Sequence, residues 1–260
     1  MKALAIDLFC GLGGWTDGLL AENYDVIGFD ITQHVYGEQR YPAQLVVQDV
    51  TTLHGSQFKD AALIVASPPC QEYSYMAMPW SLAKAKAAAI RADTSGTMLE
   101  DLNRLFNATF RIQREACEAA GRHIPLIVEN VRGAQPWVGR ARWNYGSFYL
   151  WGDVPALMPV TFKAQKVPGF RFDGSGRSFQ TASVEAQKNM NIHLTYAELK
   201  DGIKQGGDWF NASQPSMSRL YGSKSPQRKM ASAMIAKIPL PLSRYIAATF
   251  RPIECAQAAE

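Results

Sequence analysis

Residues 3–14 read ALAIDLFCGLGG, and this stretch predicts the fold of the chain. Its first seven residues are almost entirely apolar, as is typical of a strand buried on both faces of a parallel sheet. The glycines that follow, Gly11, Gly13 and Gly14, allow a tight turn into a helix that we expect to run through about Leu20. Strand, glycine turn and helix form the first half of a βαβ unit.

Four further short apolar runs predict parallel strands. They comprise residues 25–30, 44–50, 61–67 and 125–131. A long helical stretch, from about Met98 to Ala120, precedes the last of them. The alternation predicts an α/β fold with a doubly wound, mostly parallel sheet. In such sheets ligands bind beyond the carboxyl ends of the strands, and the side chains expected to gather there are Asp7, Asp30, Asp49, Cys70 and Glu129.

Composition limits the class of protein. At 260 residues and 47% hydrophobic content, the chain can bury a large core. Its four cysteines have no paired spacing and its four histidines complete no zinc pattern, so neither disulfides nor a metal site are predicted. The amino-terminal apolar run is too short for a signal peptide or a spanning helix, so we expect a cytoplasmic protein without a membrane partner. The net charge of +4 suits a polyanionic partner but suits many small-molecule enzymes equally well.

Changes of composition divide the chain into three parts. Residues 1–154 hold the strand and helix pattern and form the predicted catalytic domain. Residues 155–215 are rich in glycine, serine, glutamine and asparagine, so we expect a small lobe that is irregular or β-rich. Residues 216–260 contain two helix-like runs separated by Pro239 and Pro241, and we expect this segment to pack back on the catalytic domain.

The run SPPCQ at residues 67–71 follows the fourth strand and is a specific motif. Two prolines stiffen the approach to Cys70, just beyond a strand end, where a nucleophile would face the crevice. A cysteine outside a disulfide is more often a buried packing residue, but a loop position between Pro69 and Gln71 is unusual for one. Glu129 ends the fifth strand at the same edge, so it can face Cys70 across the crevice.

The glycine loop alone leaves the ligand open. Its GxG spacing suits a nucleotide-like ligand, yet the third glycine of a dinucleotide motif is absent because Thr16 stands there. Asp30, at the end of the second strand, suits the two hydroxyls of a ribose, although an acid at a strand end is equally often only solvated. An NAD-dependent dehydrogenase is therefore an alternative, weakened because it leaves the Pro69-Cys70-Gln71 run unexplained.

Together these motifs resemble the cytosine-5 DNA methyltransferase family. The DLFCGLGG loop, the acids of GFD and QDV, the SPPCQ loop and the VENV strand occur in the family's order and at fitting spacings. The resemblance is good over about the first 150 residues and fair over about the last 35. It implies a Rossmann-like class I methyltransferase fold with a small target-recognition lobe. It also implies S-adenosyl-L-methionine as cofactor, double-stranded DNA as partner, and a monomer in a bacterial or phage-infected cell.

The resemblance implies a role for each motif. Cys70 would attack carbon 6 of a flipped-out cytosine, because carbon 5 is a poor nucleophile before that addition, and Glu129 would relieve the charge at N3. Phe9 would stack on the adenine of the cofactor, Asp30 would hold its ribose and Asp49 would face its amine. The other implied cofactor contacts are Asp7, Gly11, Leu12, Gly13, Gly14, Ile31, Val50 and Pro69. The predicted DNA contacts are Gln71, Ser74 and Asn130, together with Arg219, Lys224 and Arg228, whose charge makes them candidates for phosphates.

The chain departs from the family pattern in its arginines, its C-terminal motif and its lobe. Arg140 and Arg142 are the candidates for the arginine at O2 of the base, with a phosphate contact as an equal alternative. Ala236 and Lys237 stand where the family has a Gly-Asn motif with a cofactor contact. Lys237 raises the hypothesis of an anionic cofactor analogue, with a solvated lysine as the alternative. The short lobe points to a short or relaxed target sequence. Trp209 and Phe210 would either wedge into or stack on the nucleic acid or form the core of the lobe. The further candidates for phosphate contacts are Arg171, Arg177, Lys188 and Lys229.

Two other functions stay open at this level. An RNA (tRNA) cytosine-5 methyltransferase would carry the same Pro-Cys-Gln and Glu-Asn-Val motifs, so these do not identify the nucleic acid. A nucleic-acid-binding protein with an inactive catalytic fold is disfavoured because both Cys70 and Glu129 are present. The compact chain suits a phage enzyme, in restriction-modification, anti-restriction or base hypermodification.

Overall fold

The computed structural model of the chain describes residues 2–74, 80–158 and 226–252. The predicted lobe at 155–215 falls outside these ranges from residue 159 onward, including Trp209 and Phe210. The fold and the candidate site are therefore built from the predicted catalytic domain and the C-terminal segment.

A sheet in the order β3-β2-β1-β4-β5-β7-β6 forms the centre of the described residues. Its strands are β1 (Ala3–Leu8), β2 (Tyr24–Asp30), β3 (Gln44–Val47), β4 (Leu63–Ala66), β5 (Leu126–Asn130), β6 (Trp143–Tyr145) and β7 (Phe148–Gly152). The first five pair in parallel, and β7 is antiparallel to both of its neighbours. The strand order reverses between β1 and β4, which creates a crevice at their carboxyl ends. The predicted doubly wound, mostly parallel α/β sheet is confirmed.

Six helices accompany these strands in the described ranges. They are α1 (Gly14–Ala21), α2 (Trp80–Ala92), α3 (Thr97–Ala120), α4 (Gln135–Val138), α5 (Pro226–Ala236) and α6 (Leu240–Phe250). Short 3-10 turns occupy Val50–Thr52, Gly55–Phe58 and Arg132–Ala134. The break between α5 and α6 lies at the predicted prolines. No helix in the described part of the chain has the length and apolarity to cross a bilayer.

Apolar side chains cover both faces of the sheet. On one face, Trp15 and Leu19 of α1 pack with Leu242 and Ile246 of α6. On the other face the core includes α3, through residues such as Ile112. All four residues of β4 are 0% exposed. Because an unpaired polar group is costly on a strand buried on both sides, β4 carries no polar side chain, and the polar candidates lie near or beyond the strand ends.

Helices α1 and α6 approach closely because α1 carries glycines on the facing side. A Cβ added to Gly18 would lie 2.4 Å from the carbonyl carbon of Ser243. Ion pairs flank this contact on both sides: Lys237 Nζ lies 2.7 Å from Asp17 Oδ2, and Arg244 Nη2 lies 2.8 Å from Glu22 Oε1. The C-terminal segment is thereby held against the helix that follows the glycine loop.

We expect the substitution Gly18→Ala to lower the free energy of unfolding by about 1–3 kcal/mol, because the new methyl group meets backbone rather than a movable side chain. This is the net loss, because the steric cost exceeds the gain of about 1 kcal/mol in helix propensity that alanine brings. Urea unfolding measures it. Leu20→Ala, on the same helix but 40% exposed, is the control and should change stability less. A Gly18→Ala protein as stable as the wild type would contradict the close approach.

Candidate active site

The glycine loop after β1 is held in an unusual backbone conformation. Phe9 has a φ of 57°, which only a few per cent of residues other than glycine adopt. The amide of Gly11 donates to Asp30 Oδ2 at 2.9 Å, so the end of β2 is tied to the loop. A Cβ added to Gly11 would meet nothing within 4 Å, which leaves open space beside the loop. Leu12, Gly13 and Gly14 are buried, so their side-chain positions face the fold.

Asp30 accepts further contacts at its other oxygen. Its Oδ1 accepts from the amide of Thr32 at 3.2 Å and lies 3.6 Å from His34 Nε2. Ile31, next to it, is 69% exposed at the same strand end. The sequence predicted Asp30 and Ile31 as site residues but not His34. The only sign of the contact between His34 and Asp30 is their spacing of four residues.

Asp49, beyond β3, caps a 3-10 turn. Its Oδ1 accepts from the amide and the hydroxyl of Thr51, each at 2.8 Å. These hydrogen bonds, the backbone one first, lower the pKa of Asp49. The carboxylate form is therefore favoured at this strand end. Val50, in contrast, is 2% exposed and belongs to the core, so its side chain serves packing.

Asp7 lies beneath the glycine loop and is bonded to Thr16. The Thr16 hydroxyl donates to Asp7 Oδ2 at 2.6 Å and lies 2.7 Å from the Tyr41 hydroxyl. The other carboxyl oxygen, Oδ1, is buried without a hydrogen-bond partner among the described residues. Burial raises the pKa of Asp7 from 3.8 to about 8, because desolvation penalises the carboxylate. Thr16 stands where a dinucleotide motif has its third glycine, and here its hydroxyl holds the Asp7 carboxyl in place. The sequence gave no sign that Tyr41 contacts Thr16.

The loop that carries Cys70 is fastened to two neighbouring elements. Trp15 Nε1 donates to Ser67 Oγ at 3.0 Å, and Asn130 Nδ2 donates to the Pro68 carbonyl at 3.0 Å. Cys70 itself is half-buried. Beside it Pro69 and Gln71 are exposed and Ser74 is half-buried. The loop is therefore rigid at its base and accessible at its tip.

The other described cysteines have different surroundings. Cys10 is 6% exposed, and burial together with the nearby Asp7 and Asp30 raises the pKa of its thiol far above the ordinary value. Cys117 lies in α3, where its Sγ accepts from the Ile124 amide at 3.2 Å. Cys255 falls outside the described residues. Cys70 is thus the described cysteine whose position suits a nucleophile.

Strand β5 brings Glu129 and Asn130 to the edge where the Cys70 loop begins. Ala66 of β4 pairs with Val128 of β5, so both segments leave the sheet side by side. Glu129 is 7% exposed and Asn130 is 1% exposed. The Asn130 amide is used internally, since its Oδ1 also accepts from the Val131 amide at 2.8 Å. The predicted DNA contact of Asn130 would require these internal hydrogen bonds to break, and it stays a prediction.

The basic candidates are only partly described. Arg140 and Arg142 are exposed between α4 and β6, and the Arg142 amide donates to the Leu150 carbonyl at 2.9 Å. Lys229, on α5, is exposed, and the backbone of Arg228 belongs to the same helix. The other candidates lie outside the described residues: Arg171, Arg177, Lys188, Arg219 and Lys224. No cluster of three potential metal ligands occurs among the described residues.

Comparison with known proteins finds a family match for the first part of the chain. Residues 4–108 match the family model of the C-5 cytosine-specific DNA methylases, and no curated protein matches the chain. The solved structures similar to it include a putative DNA modification methyltransferase encoded within an E. coli prophage, at 24% identity over 51% of this chain and 33% of that one, with a TM-score of 0.34. The Dnmt2 methyltransferase of S. pombe is 17% identical over 52% of this chain and 35% of that one, with a TM-score of 0.30. The Entamoeba histolytica methyltransferase EhMeth is 10% identical over 96% and 98%, with a TM-score of 0.46. The chain spans about a third of the length of the first two structures.

The raised pKa of Asp7 predicts a pH dependence of stability. The folded protein binds the Asp7 proton more tightly than the unfolded chain, so the free energy of unfolding falls as the pH rises from about 4 to about 8. The slope from one such group is at most about 1.4 kcal/mol per pH unit. Asp7→Asn removes this group, so the stability of the variant relative to the wild type should increase as the pH rises from about 4 to about 8. Urea unfolding at several pH values measures the difference.

The exposed carboxylate of Asp25, on β2, gives the matched control. Asp25→Asn should follow the pH dependence of the wild type. Parallel stability curves for Asp7→Asn and wild type would show that Asp7 is not held in its neutral form.

Proposed function

We propose that the protein transfers a methyl group from S-adenosyl-L-methionine to carbon 5 of cytosine in double-stranded DNA, because residues 4–108 match the family model of the C-5 cytosine-specific DNA methylases. The observation that carries the proposal is the fastened Cys70 loop beside Glu129. Adjacent parallel strands deliver a half-buried thiol and a buried carboxyl to one edge of the sheet. A nucleophile and an acid placed together in this way suit covalent catalysis on an electron-poor ring.

Cys70 starts the reaction by adding, as its thiolate, to carbon 6 of cytosine, which forms a carbon–sulfur bond and moves electron density towards N3 and carbon 5. Glu129 stabilises that charge by donating a hydrogen bond or a proton to N3. Carbon 5 then accepts the methyl group. Loss of the carbon-5 proton to a base restores the double bond and expels Cys70 as thiolate. The protein is thereby regenerated.

The target carbon is stacked inside a duplex, so the base has to leave the helix before Cys70 can reach it. Gln71, exposed beside Cys70, is a candidate for the group that closes over the base or fills its place. Arg140 and Arg142, both exposed, are candidates for the O2 of the base or for phosphates. Arg219, Lys224 and Arg228 stay predicted phosphate contacts.

The described residues fit the proposed cofactor. The open space beside Gly11 leaves room at the glycine loop, Asp30 presents a carboxylate for ribose hydroxyls, and Ile31 offers an exposed apolar surface at the end of β2. Phe9 remains the proposed stacking partner of the adenine ring. Asp49 lies at the next strand end for the adenine amine. The cofactor supplies a methyl group activated by a sulfonium. Asp7, Leu12, Gly13, Gly14, Val50 and Pro69 remain proposed contacts, through backbone atoms where their side chains are buried.

We expect tritium from methyl-labelled S-adenosylmethionine to appear at cytosine carbon 5 of duplex DNA. Cys70→Ser should abolish the transfer, because the hydroxyl is a far weaker nucleophile, and Glu129→Gln should slow it by about 10²–10⁴-fold. Cys117→Ser is the matched control and should keep the activity. A duplex containing 5-fluorocytosine, which has no removable proton at carbon 5, should trap the wild type as a Cys70 adduct.

An RNA arm separates the alternatives. Label on tRNA but not on DNA would overturn the DNA assignment and keep the cytosine-5 chemistry. Label on neither nucleic acid, with no adduct, would overturn the proposed function and favour a role in binding alone.

Lys237, on which the hypothesis of an anionic cofactor analogue depends, forms an ion pair with Asp17. The Lys237 ammonium lies 2.7 Å from Asp17 Oδ2 and is partly buried with it, so its charge already has a partner. We therefore expect Lys237→Ala to leave the preference for S-adenosylmethionine over a carboxylated analogue unchanged in competition assays. Arg244→Ala, which removes the neighbouring ion pair with Glu22, is the control. A selective loss of the carboxylated analogue in Lys237→Ala alone would support the anionic cofactor.

A further inference from the structure

We propose that Tyr73 and Asn103 form a brace that positions the nucleophile loop, joining it to the segment that follows Glu129. The inference rests on the proposed function and assigns positioning residues to it. Asn130 fastens the loop before Cys70, through the Pro68 carbonyl. The brace fastens it after Cys70.

The first step of the brace is the turn that Cys70 starts. The Cys70 carbonyl accepts from the amides of Tyr73 and Ser74, at 3.0 and 2.9 Å. The backbone of Cys70 therefore follows the position of Tyr73, three residues along. Any group that fixes Tyr73 also fixes the direction in which the Cys70 side chain leaves the loop.

The second step is the Tyr73 side chain. It is 3% exposed and packs in the core that contains Phe106 of α3. Its hydroxyl donates to Asn103 Oδ1 at 3.0 Å and lies 3.1 Å from the Leu102 carbonyl. Burial raises the pKa of Tyr73 to about 12, so the hydroxyl stays a donor at neutral pH. A phenylalanine would fill nearly the same volume, so the hydroxyl contributes hydrogen bonds rather than packing.

The third step is the amide of Asn103, which is 6% exposed. Its Nδ2 donates to the Trp137 carbonyl at 2.8 Å, and this contact turns Oδ1 towards Tyr73. Trp137 belongs to α4, eight residues after Glu129 in the chain. Asn103 therefore links the loop that carries Cys70 to helix α4, in the segment that follows Glu129.

Two separate links thus hold the Cys70 loop, one on each side of the nucleophile: Asn130 joins it to β5, and the brace joins it to α4. A nucleophile held from one side only could still swing about its loop. Loss of alignment by about 1 Å costs up to about 10²-fold in rate. The brace therefore acts on the approach of Cys70 to carbon 6 and leaves cofactor binding untouched.

The test compares two substitutions that each remove one buried tyrosine hydroxyl. Tyr73→Phe breaks the brace. Tyr24→Phe, at a hydroxyl that donates to the Ala247 carbonyl at 3.0 Å on the opposite face of the sheet, is the matched control. Tyr73→Phe should lower kcat and the rate of Cys70 adduct formation by about tenfold, with an unchanged KM for the cofactor. Tyr24→Phe should lose stability to a similar extent and keep kcat.

The partner substitution gives a second arm. Asn103→Leu should reproduce the loss, and the Tyr73→Phe/Asn103→Leu double variant should lose no more than either single variant, because both break one link. Additive losses, or an unchanged kcat in Tyr73→Phe, would overturn the brace while the wild-type adduct upholds the proposed function.

Amide hydrogen exchange decides the inference independently of turnover. The amides of Tyr73 and Ser74 should exchange at least about tenfold faster in Tyr73→Phe than in Tyr24→Phe, because local opening of the loop becomes easier. Equal exchange rates would overturn the brace even if no nucleic acid is methylated. Absence of methylation and of adduct in the wild type would overturn the proposed function instead.

Discussion

Burial of β4 between β1 and β5 is the constraint on which the rest of this structure depends. Its four residues are fully buried, and parallel neighbours on both sides take up its backbone hydrogen bonds. Such a strand tolerates no polar side chain along its length, so the chain can place reactive groups only where the strand ends. The Pro-Pro-Cys loop begins at that point. Because β1 and β5 end beside it, the glycine loop and Glu129 lie at the same edge of the sheet.

Hydrogen bonds that are buried or partly buried tie the segments at this edge to one another. Trp15 donates to Ser67, Asn130 donates to the Pro68 carbonyl, and the Gly11 amide donates to Asp30. A buried donor or acceptor left without a partner costs about 1–3 kcal/mol, so these pairs limit how far any one loop can move alone. The crevice is therefore organised before a ligand enters it. Preorganised groups lower the cost of reaching a transition state.

The sequence predicted the parts of this arrangement that arise from local patterns. Continuous apolar runs predict buried parallel strands, and glycines and prolines mark the turns, so Asp30, Cys70 and Glu129 could be placed at one edge. The hairpin of β6 and β7 was missed, although Gly146 between the strands and the flanking aromatic residues gave a signal.

The contacts that position the site were missed for a different reason. Tyr41 meets Thr16 across 25 positions, Tyr73 meets Asn103 across 30 and Asn130 meets Pro68 across 62. Hydrogen bonds of this kind depend on how elements pack, and no periodicity in one sequence records them. For the same reason the sequence gives no sign that the Asn130 amide bonds to Pro68 and Val131.

Cys10 and Cys70 show how the same side chain becomes inert at one strand end and suited to chemistry at the next. Both follow a buried strand and both lie at the crevice edge. Cys10 is enclosed beneath the glycine loop near two acids, and both effects disfavour its thiolate. Cys70 follows two prolines, of which Pro69 is exposed, and the residue is only half-buried. Loop geometry therefore separates the two cysteines: the glycine turn encloses Cys10, and the proline turn leaves Cys70, the proposed nucleophile, partly exposed.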